Sequence, residues 1–389
     1  MFFNILVFAH VLRSQSPRPQ TELFVKWTTF VYAIVMKLQG RKILVGLSGG
    51  VDSAVAAYLL KEQGFEVRAV FMKNFSERVE GTECPWREDR LEAYKAAAFL
   101  GIPVQTWDFQ KEYRDRVLQY LFSEYRRGRT PNPDVFCNKE IKFKAFLERA
   151  RRAGFSKIAT GHYAGITRDR NGLYHLHKAS DRNKDQSYFL AQLNQKQLAA
   201  TVFPLARMRK PAVRALAKKL KLPNAARPDS QGICFVGPVS MRSFLATRIK
   251  PKKGDIVDTE GRVLGQHDGV YYYTIGQRRG INIGGGRPLY VIDKDIKRNR
   301  LIVGTARDLK LLKQEIRVTG WRWLSRKRPL PLHCSVKIRY RQSDQKAVVR
   351  HASGSAVRVR FAKPQRAVAP GQILAAYKGT ELVASGVIA

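Results

Sequence analysis

The sequence predicts an α/β protein in which a parallel-sheet domain is followed by a small β-rich domain and a C-terminal antiparallel β-barrel. Strands alternate with helices as far as about Lys250, which is typical of βαβ units and a parallel sheet. Helical periodicity is absent beyond Lys250, and short strands separated by turns continue from about Lys313. Across the 389 residues we expect an N-terminal extension and three domains, at 1–39, 40–249, 250–306 and 307–389.

Apolar runs bounded by glycine or proline place the individual elements. In the first domain, strands are predicted at 43–45, 66–72, 104–109 and 156–160. Helices are predicted there at 54–60, 87–100, 110–127, 140–153 and 211–220, and a further helix is expected to begin at Lys184. In the later domains, strands are predicted at 271–275, 288–292, 335–340, 356–361 and 372–377.

A glycine-rich loop, residues 48–53, lies between the first predicted strand and helix. Strand, glycine turn and helix together present free backbone N–H groups to a phosphate. Gly49 and Gly50 have no Cβ, so phosphate oxygens can approach closely, and Asp52 indicates a bridging Mg²⁺ because it would repel a bare phosphate. No lysine follows the glycines, which excludes the Walker pattern. An ordinary Gly-Gly turn is the alternative, and the flanking strand, helix and serines disfavour it.

The carboxyl ends of the predicted parallel strands should meet at one edge of the sheet. Ligands bind such sheets at that edge. We therefore expect the 48–53 loop, Met72 and the Gly161-His162 pair to lie close together.

Composition predicts a polyanionic partner. Lys and Arg total 71 against 31 Asp and Glu, a formal charge of +40, while a hydrophobic content of 44% is ordinary for a globular protein. A lineage with generally basic proteins would explain only part of this excess. The 1–39 extension carries two apolar runs, each shorter than the ~20 residues that span a bilayer. It is expected to be either disordered or an artefact of the start site, with Met36 as the true start.

The four cysteines, Cys84, Cys137, Cys234 and Cys334, form no CxxC pair, which excludes a zinc ribbon. So few thiols in so long a chain indicate a cytosolic protein rather than a disulfide scaffold. Cys137 is expected just before a helix at 140–153, in a polar, proline-stiffened loop that favours an exposed, reactive thiolate. A buried structural cysteine is the alternative. Basic and aromatic residues interleave at 321–323 and 337–341, which suits either RNA binding or a solvated sheet face.

Nine motifs in one order resemble the tRNA-specific 2-thiouridylase family from about Gly40 onward. They are GLSGGVDSAVA at 46–56, FMKN at 71–74, GRTPNPDVFCNKEIKF at 128–143, ATGHYA at 159–164, KDQSYFL at 184–190, GICF at 232–235, TIGQRRG at 274–280, KIRYRQ at 337–342 and APGQ at 369–372. The 48–53 loop also resembles the SGGxDS loop of the PP-loop ATP pyrophosphatases, which split ATP between its α and β phosphates.

This resemblance implies a PP-loop ATPase domain and transfer of sulfur to C2 of the wobble uridine. It implies ATP and Mg²⁺ as cofactors, tRNA and a persulfide-donating sulfur carrier protein as partners, cytoplasmic action and no membrane contact. No metal would be held by the protein alone, and Asp52 would meet the Mg²⁺ that accompanies ATP. Two rivals remain: another PP-loop ATP-dependent ligase or sulfurtransferase, and a non-catalytic RNA-binding protein on this scaffold.

The resemblance also implies roles for particular residues. Those that would bind ATP are Gly46, Leu47, Ser48, Gly49, Gly50, Val51, Asp52, Ser53, Met72 and Gly161. Those that would meet the target base are Asn132, Pro133 and Asp134, with Asp134 a candidate acid/base. Cys137 would be the nucleophile and Cys234 the persulfide carrier, and turnover would join the two as a disulfide. Those that would contact tRNA are His162, Lys184, Asp185, Gln186, Arg339, Tyr340 and Gln372.

Overall fold

The computed structural model describes residues 41–79, 86–229, 239–284 and 286–389. The expectations for the 1–39 extension, for Cys84 and for Cys234 therefore lie outside the described residues. Within these ranges no helix has the length and apolar character needed to cross a membrane.

The strands of the described residues fall into three sheets. In chain order they are β1 Lys42–Gly46, β2 Glu66–Lys73, β3 Val104–Asp108, β4 Ile158–Ala159, β5 Ala164–Arg168, β6 Tyr174–Lys178, β7 Thr201–Val202, β8 Gly254–Val257, β9 Val263–His267, β10 Leu289–Asp295, β11 Arg300–Thr305, β12 Leu312–Trp323, β13 Leu332–Lys337, β14 Gln345–His351, β15 Val357–Arg366, β16 Ile373–Lys378 and β17 Glu381–Ile388.

The helical segments lie mainly in the first domain. The α-helices are Val51–Glu62, Trp86–Leu100, Gln110–Tyr113, Gln119–Arg126, Pro133–Cys137, Phe146–Arg152, Gln195–Ala199, Lys210–Lys219 and Met241–Ala246. Two π-helical segments, Arg114–Leu118 and Asn138–Ala145, join neighbouring α-helices, and short 3₁₀ turns occur at Ser187–Leu190, Val270–Tyr272 and Leu309–Leu311.

The first domain is built on a parallel sheet, as the alternation of strands and helices predicts. Its strand order is β3-β2-β1-β4-β7, and every neighbouring pair is parallel. The central strand β1 is buried except at its first residue, which is typical of a strand covered by helices on both faces.

The later parts of the chain are β-rich, which confirms the remainder of the predicted fold class. Strands β8 to β11 form a four-stranded sheet in the order β10-β11-β8-β9. Strands β12 to β17 form a closed antiparallel barrel, because β12 pairs with β15 on one side and with β17 on the other. Closure leaves this barrel without an open edge.

A hairpin of the first domain extends the barrel sheet, which the sequence analysis did not predict. Strands β5 and β6 pair with each other, and Glu381 and Leu382 of β17 pair with His177 and Leu176 of β6. One buried apolar cluster also includes side chains from all three domains, such as Leu44, Val291 and Tyr377. The first domain and the barrel are therefore packed as one body.

The predictions for the segment 271–275 and for the helix at Lys184 were wrong. The segment 271–275 was predicted as a strand, but a 3₁₀ turn at Val270–Tyr272 buries Tyr272 and Tyr273, so core packing overrides the β-propensity of the tyrosine run. The helix expected to begin at Lys184 is only the 3₁₀ turn Ser187–Leu190. Asp185 shapes this turn, because its carboxylate accepts from the backbone N–H groups of Ala179 and Ser187.

Candidate active site

The 48–53 loop follows β1 and is held by its own serines. Ser53 Oγ accepts from the N–H of Ser48 at 3.2 Å and donates to the carbonyl oxygen of Gly50 at 2.9 Å. Gly49 has a φ of +83°, in the left-handed region that favours glycine. The helix begins at Val51 rather than at Ala54, so the last loop residues supply its unpaired N–H groups. The predicted strand–loop–helix geometry is thus present.

Gly161 and Met72 lie at the same sheet edge as this loop, as expected. A Cβ on Gly161 would lie 2.6 Å from the backbone nitrogen of Ser53 and 2.7 Å from the carbonyl carbon of Asp52. A Cβ on Gly46 would lie 3.0 Å from Cε of Met72. Only a residue without a side chain fits at 161, because the nearest atoms are backbone atoms of the loop.

Asp52 in this loop is held by two side chains from distant parts of the first domain. Its Oδ1 accepts from the hydroxyl of Tyr163 at 2.8 Å and from Nζ of Lys210 at 2.6 Å. Burial, and then the charge of Asp52, raises the pKa of Tyr163, so the phenol stays a donor. Lys210 is itself buried. A lysine is therefore present beside the loop, although the loop sequence contains none.

Asp229 lies next to this pair and gathers three cationic side chains. Its Oδ1 is 2.7 Å from Nζ of Lys210 and 2.6 Å from Nη2 of Arg214, and its Oδ2 is 2.5 Å from Nζ of Lys184. Burial opposes ionisation of Asp229, but the hydrogen bonds and charges of Lys184 and Lys210 outweigh it and hold the pKa well below its usual range. The cluster thus keeps several positive charges beside the loop at neutral pH.

Sequence reasoning missed Lys210, Asp229 and Tyr163. Tyr163 lies within the quoted ATGHYA motif but was given no role. No quoted motif includes Lys210 or Asp229, and Lys210 meets Asp52 across 158 positions only through folding. Lys210 opens the helix Lys210–Lys219, where Pro211 indicated a helix start but no chemical role. Asn224 was also missed, and its side-chain amide donates to the carbonyl oxygen of Gly49 at 2.9 Å.

A second candidate site, the loop 129–132, lies where the three domains meet. The carbonyl oxygen of Thr130 accepts from the Gln372 amide at 2.8 Å, and the N–H of Thr130 donates to the carbonyl oxygen of Pro370 at 2.7 Å. The hydroxyl of Thr130 donates to that of Thr274 at 3.3 Å, and Arg129 donates to the carbonyl oxygen of Ile388 at 3.1 Å. The barrel and the small domain thereby fix the position of this loop.

The helix Pro133–Cys137 follows at once, and it places Asp134 and Cys137 on one face. Asn132 caps it by accepting from the N–H of Val135 at 3.2 Å, with Pro133 at the first helical position. Residues three apart on a helix are neighbours. Asp134 and the predicted nucleophile Cys137 are therefore neighbours on one face, and Asn132 and Pro133 form the start of the same short helix.

The expectation that Cys137 is exposed just before a helix was wrong. The helix begins at Pro133 instead of 140, so Cys137 lies within it, and its exposed fraction is 0%. Cys137 and Ile141 lie four apart and are both buried on the inner face of this helical stretch. Its predicted partner Cys234 lies outside the described residues.

A chain of contacts connects this helix with the ATP-site candidate. Asn138 donates to the carbonyl oxygen of Phe189 at 3.3 Å. Three residues before Phe189, the side-chain oxygen Oε1 of Gln186 accepts from the N–H of Tyr163 at 2.9 Å. The Tyr163 hydroxyl in turn donates to Asp52. The residue after Cys137 and the phosphate-loop carboxylate are thus linked through the 186–189 segment.

Comparison with known proteins identifies the family. Three family models match consecutive segments: the tRNA methyl transferase HUP domain at 41–238, the tRNA methyl transferase PRC-barrel domain at 242–305 and the aminomethyltransferase beta-barrel domain at 313–388. The tRNA-specific 2-thiouridylase MnmA of Enterococcus faecalis is 46% identical over 354 residues, which cover 89% of this chain and 95% of that protein.

The chain belongs to the tRNA-specific 2-thiouridylase family. Proteins of the same name from Streptococcus equi subsp. zooepidemicus and Streptococcus thermophilus are 46% and 45% identical over the same share of this chain, and the matches cover 94% and 95% of their lengths. The HUP-domain match includes the 48–53 loop, which favours ATP use by this family member.

The residues predicted to contact tRNA differ in their exposure. Lys184, Arg339 and Tyr340 are at least partly exposed, and Tyr340 packs on Phe189 with ring centroids 4.2 Å apart. Asp185 and His162 are buried. Burial, together with the charge of Lys142, holds the pKa of His162 well below its usual range.

A cavity of about 520 Å³ joins two of the predicted tRNA segments. Its lining includes Asp185 and Tyr340, together with Lys178 and Lys337. Gln372 and Gln186, also predicted to contact tRNA, are engaged in the backbone contacts described above. The role of each of these residues toward tRNA stays a prediction.

Proposed function

We propose that this chain uses ATP to adenylate the C2 oxygen of the wobble uridine in tRNA and then replaces that oxygen by persulfide sulfur. The observation that carries this proposal is the 48–53 loop with Asp52 bound to Lys210 at the carboxyl edge of the parallel sheet. Helix N–H groups, a close-fitting glycine and a lysine together suit the phosphates of ATP.

The residues present fit ATP accompanied by Mg²⁺. The loop ends at the N-terminus of the helix Val51–Glu62, whose first N–H groups suit phosphate oxygens. Gly161 packs directly against the backbone of Asp52 and Ser53, so this position requires glycine. Both hydrogen bonds to Asp52 use Oδ1, which leaves Oδ2 as a ligand for Mg²⁺. Among the described residues, no group of three or more His, Cys, Asp or Glu side chains is arranged to hold a metal. We therefore expect the ion to enter with ATP, whose phosphates supply most of its ligands.

The proposed reaction balances with the residues of this chain and a persulfide donor. The C2 oxygen attacks the α-phosphorus of ATP, and pyrophosphate leaves. The outer sulfur of a Cys234 persulfide then bonds to C2, and AMP leaves with the oxygen. Attack of the Cys137 thiolate on the inner sulfur breaks the S–S bond of the persulfide and forms a Cys137–Cys234 disulfide. An external reductant restores both thiols.

Asp134 is the proposed acid/base for the uridine. It lies on the same helical face as Cys137 and two residues after the Asn132 cap. The contacts of Thr130 with Thr274 and Gln372 would keep this turn in place while the base enters. Since Cys137 is fully buried, we propose that tRNA binding opens this turn. Loops that carry reactive groups often rearrange with substrate.

The sulfur source is proposed to be a persulfide-donating carrier protein, and the place of action the cytoplasm. Both follow from the need for free thiols that accept sulfur and are then reduced again. Cys334 does not fit the role of acceptor, because burial raises its thiol pKa to about 12. It would stay protonated at neutral pH.

The rival functions fit less well. The matched models are described as methyl transferases, but methyl transfer has no use for a phosphate loop with an Asp–Lys pair. A different PP-loop ligase would not need the Asp134 and Cys137 turn. A non-catalytic RNA-binding protein would not need Asp52 to be retained and positioned by Tyr163 and Lys210.

The deciding experiment is a product assay with ATP, a persulfide donor and tRNA that carries an unmodified wobble uridine. We expect AMP and pyrophosphate in equal amounts and 2-thiouridine in the digested tRNA. Formation of ADP and phosphate, or of a methylated base with added methyl donor, would exclude the proposed reaction. Asp52→Ala is the matched inactive control.

A further inference from the structure

Three arginines form a row across the outer face of the barrel. Arg317 of β12 lies directly opposite Arg358 of β15, which lies directly opposite Arg350 of β14. All three side chains are exposed, while the residues on either side of Arg317 and Arg358 are buried in the barrel. Neighbouring strands are about 4.8 Å apart, so the row extends over about 10 Å.

Repulsion within this row lowers the stability of the protein when nothing is bound to it. Like charges directly opposite each other on neighbouring strands are destabilising. In the described part of the chain, none of the three arginines forms an ion pair, and Arg317 donates only to the hydroxyl of Ser353 at 3.0 Å. Other exposed arginines are paired, for example Arg262 with Asp258 at 2.7 Å. A bound polyanion would relieve the repulsion within the row.

The surroundings of the row are also mainly basic. Two residues from the row along β12 and β15, Arg360 lies opposite Glu315. Glu315 is the acidic residue nearest to the row among the paired positions of these strands. Lys346 on β14 is exposed as well. The C-terminal residue connects this face with the 129–132 loop, because Ala389 donates to the carbonyl oxygen of Arg317 and Ile388 accepts from Arg129. Two hydrogen bonds thus join the strand that carries Arg317 to the 129–132 loop.

We propose that the Arg317–Arg358–Arg350 row binds the phosphate backbone of a helical stem of the substrate tRNA, away from the anticodon loop. This inference rests on the proposed function. Guanidinium groups form paired hydrogen bonds with phosphate oxygens, and contacts to the backbone position a nucleic acid without selecting its sequence. The row thereby holds the body of the tRNA while the wobble uridine reaches the Asp134 and Cys137 turn.

The test uses the full-length protein with Arg350→Gln and Arg358→Gln combined, and compares whole tRNA with the isolated anticodon stem-loop. For whole tRNA we expect KM to rise roughly five- to tenfold with kcat unchanged, and the slope of log Kd against log salt to fall by about 1.5. For the stem-loop we expect no change. The melting temperature should not fall, because removing the arginines relieves repulsion.

Arg262→Gln is the control, since it removes one exposed charge that is already paired. Equal effects on both RNAs, no effect on whole tRNA, or the same effect from the control would each overturn the proposal. So would loss of sulfur acceptance from a carrier protein with unchanged tRNA binding, which would assign the row to a protein partner. The salt-dependent Kd needs no turnover, so it decides the role of the row even if the wild-type protein makes no 2-thiouridine.

Discussion

Nζ of Lys210 lies 2.6 Å from Oδ1 of Asp52 and 2.7 Å from Oδ1 of Asp229. One buried ammonium group therefore joins the phosphate loop to the residue just before the segment that contains Cys234. In a Walker loop the lysine is part of the loop sequence. In this protein the lysine is instead the first residue of the helix Lys210–Lys219, and it reaches the loop only in the folded structure.

Lys210→Met should weaken ATP binding and slow AMP formation. A charge-assisted hydrogen bond contributes about 1.5–3 kcal/mol, so we expect an effect of about 10- to 100-fold on kcat/KM for ATP. Steady-state pyrophosphate release measures this effect. Lys218→Met, at an exposed position of the same helix, is the control and should behave as wild type. Equal activity of both variants would remove Lys210 from the site.

Gly161→Ala should damage the ATP site without unfolding the protein. The added Cβ would lie 2.6 Å from the nitrogen of Ser53, so the backbone of the loop must move. We expect kcat/KM for ATP to fall by at least about tenfold, since small misplacements of reacting groups are costly. Gly165→Ala is the matched control, because its Cβ would meet His177 at an ordinary 3.5 Å. A fully active Gly161→Ala protein would contradict the close fit.

Asp52→Ala should abolish pyrophosphate release and leave the fold intact. Asp52 is partly exposed, and Lys210 keeps Asp229 as a partner when Asp52 is removed. The substitution therefore removes the proposed ligand for Mg²⁺ without opening a cavity in the core. Circular dichroism should be unchanged, and AMP formation should fall to background. Residual turnover close to wild type would show that another group binds the ion.

Cys137 should react slowly with iodoacetamide in the free protein and faster with tRNA and ATP. The reason is its complete burial in the helix Pro133–Cys137. Cys334 is the internal control, because its raised pKa keeps it a protonated thiol at neutral pH. Mass spectrometry of labelled peptides measures both rates.

Turnover without reductant should leave a Cys137–Cys234 disulfide, and Cys137→Ser should fail to release sulfur to tRNA. Cys334→Ser should be near neutral. A disulfide to Cys84 or Cys334, or full activity of Cys137→Ser or Cys234→Ser, would disprove the pairing. Peptide mapping under non-reducing conditions identifies the bond.

His175 should make the joint between the β5–β6 hairpin and the barrel sensitive to pH. The hydrogen bond that His175 donates to the Glu381 carboxylate raises the pKa of His175, despite the opposing effect of burial, and the hydrogen bond to Asp169 raises it further. Because the folded-state pKa lies above the value of about 6.5 for the unfolded chain, this stabilisation is complete below about pH 6.5. It disappears as the pH rises through the folded-state pKa.

Thermal melting at pH 6 and pH 8 measures this effect. From pH 6 to pH 8, the melting temperature of the wild type should fall by more than that of His175→Gln. His333→Gln, at an exposed barrel position, should keep the wild-type difference. Identical pH dependence of the wild type and His175→Gln would show that the joint is not sensitive to this histidine.

Local pattern was sufficient to predict the parallel sheet, the 48–53 loop and the later β-rich domains. The signals for these features lie within a few neighbouring residues: buried β-branched runs, paired glycines and regular turns. The alternation of strands and helices then restricts the sheet to a parallel one. The same local information placed Gly161 and Met72 at the edge with the loop, because parallel strands end there together.

Tertiary structure decided the features that depend on distant partners. Lys210 reaches Asp52 across 158 positions, and the β5–β6 hairpin finds β17 from the other end of the chain. The exposure of the Cys137 thiol was likewise determined by tertiary packing. The turn before it is polar in sequence, but the capped helix start at Asn132 rotates the thiol toward the core. Such pairings depend on which surfaces meet after folding, and a linear pattern carries no information on that.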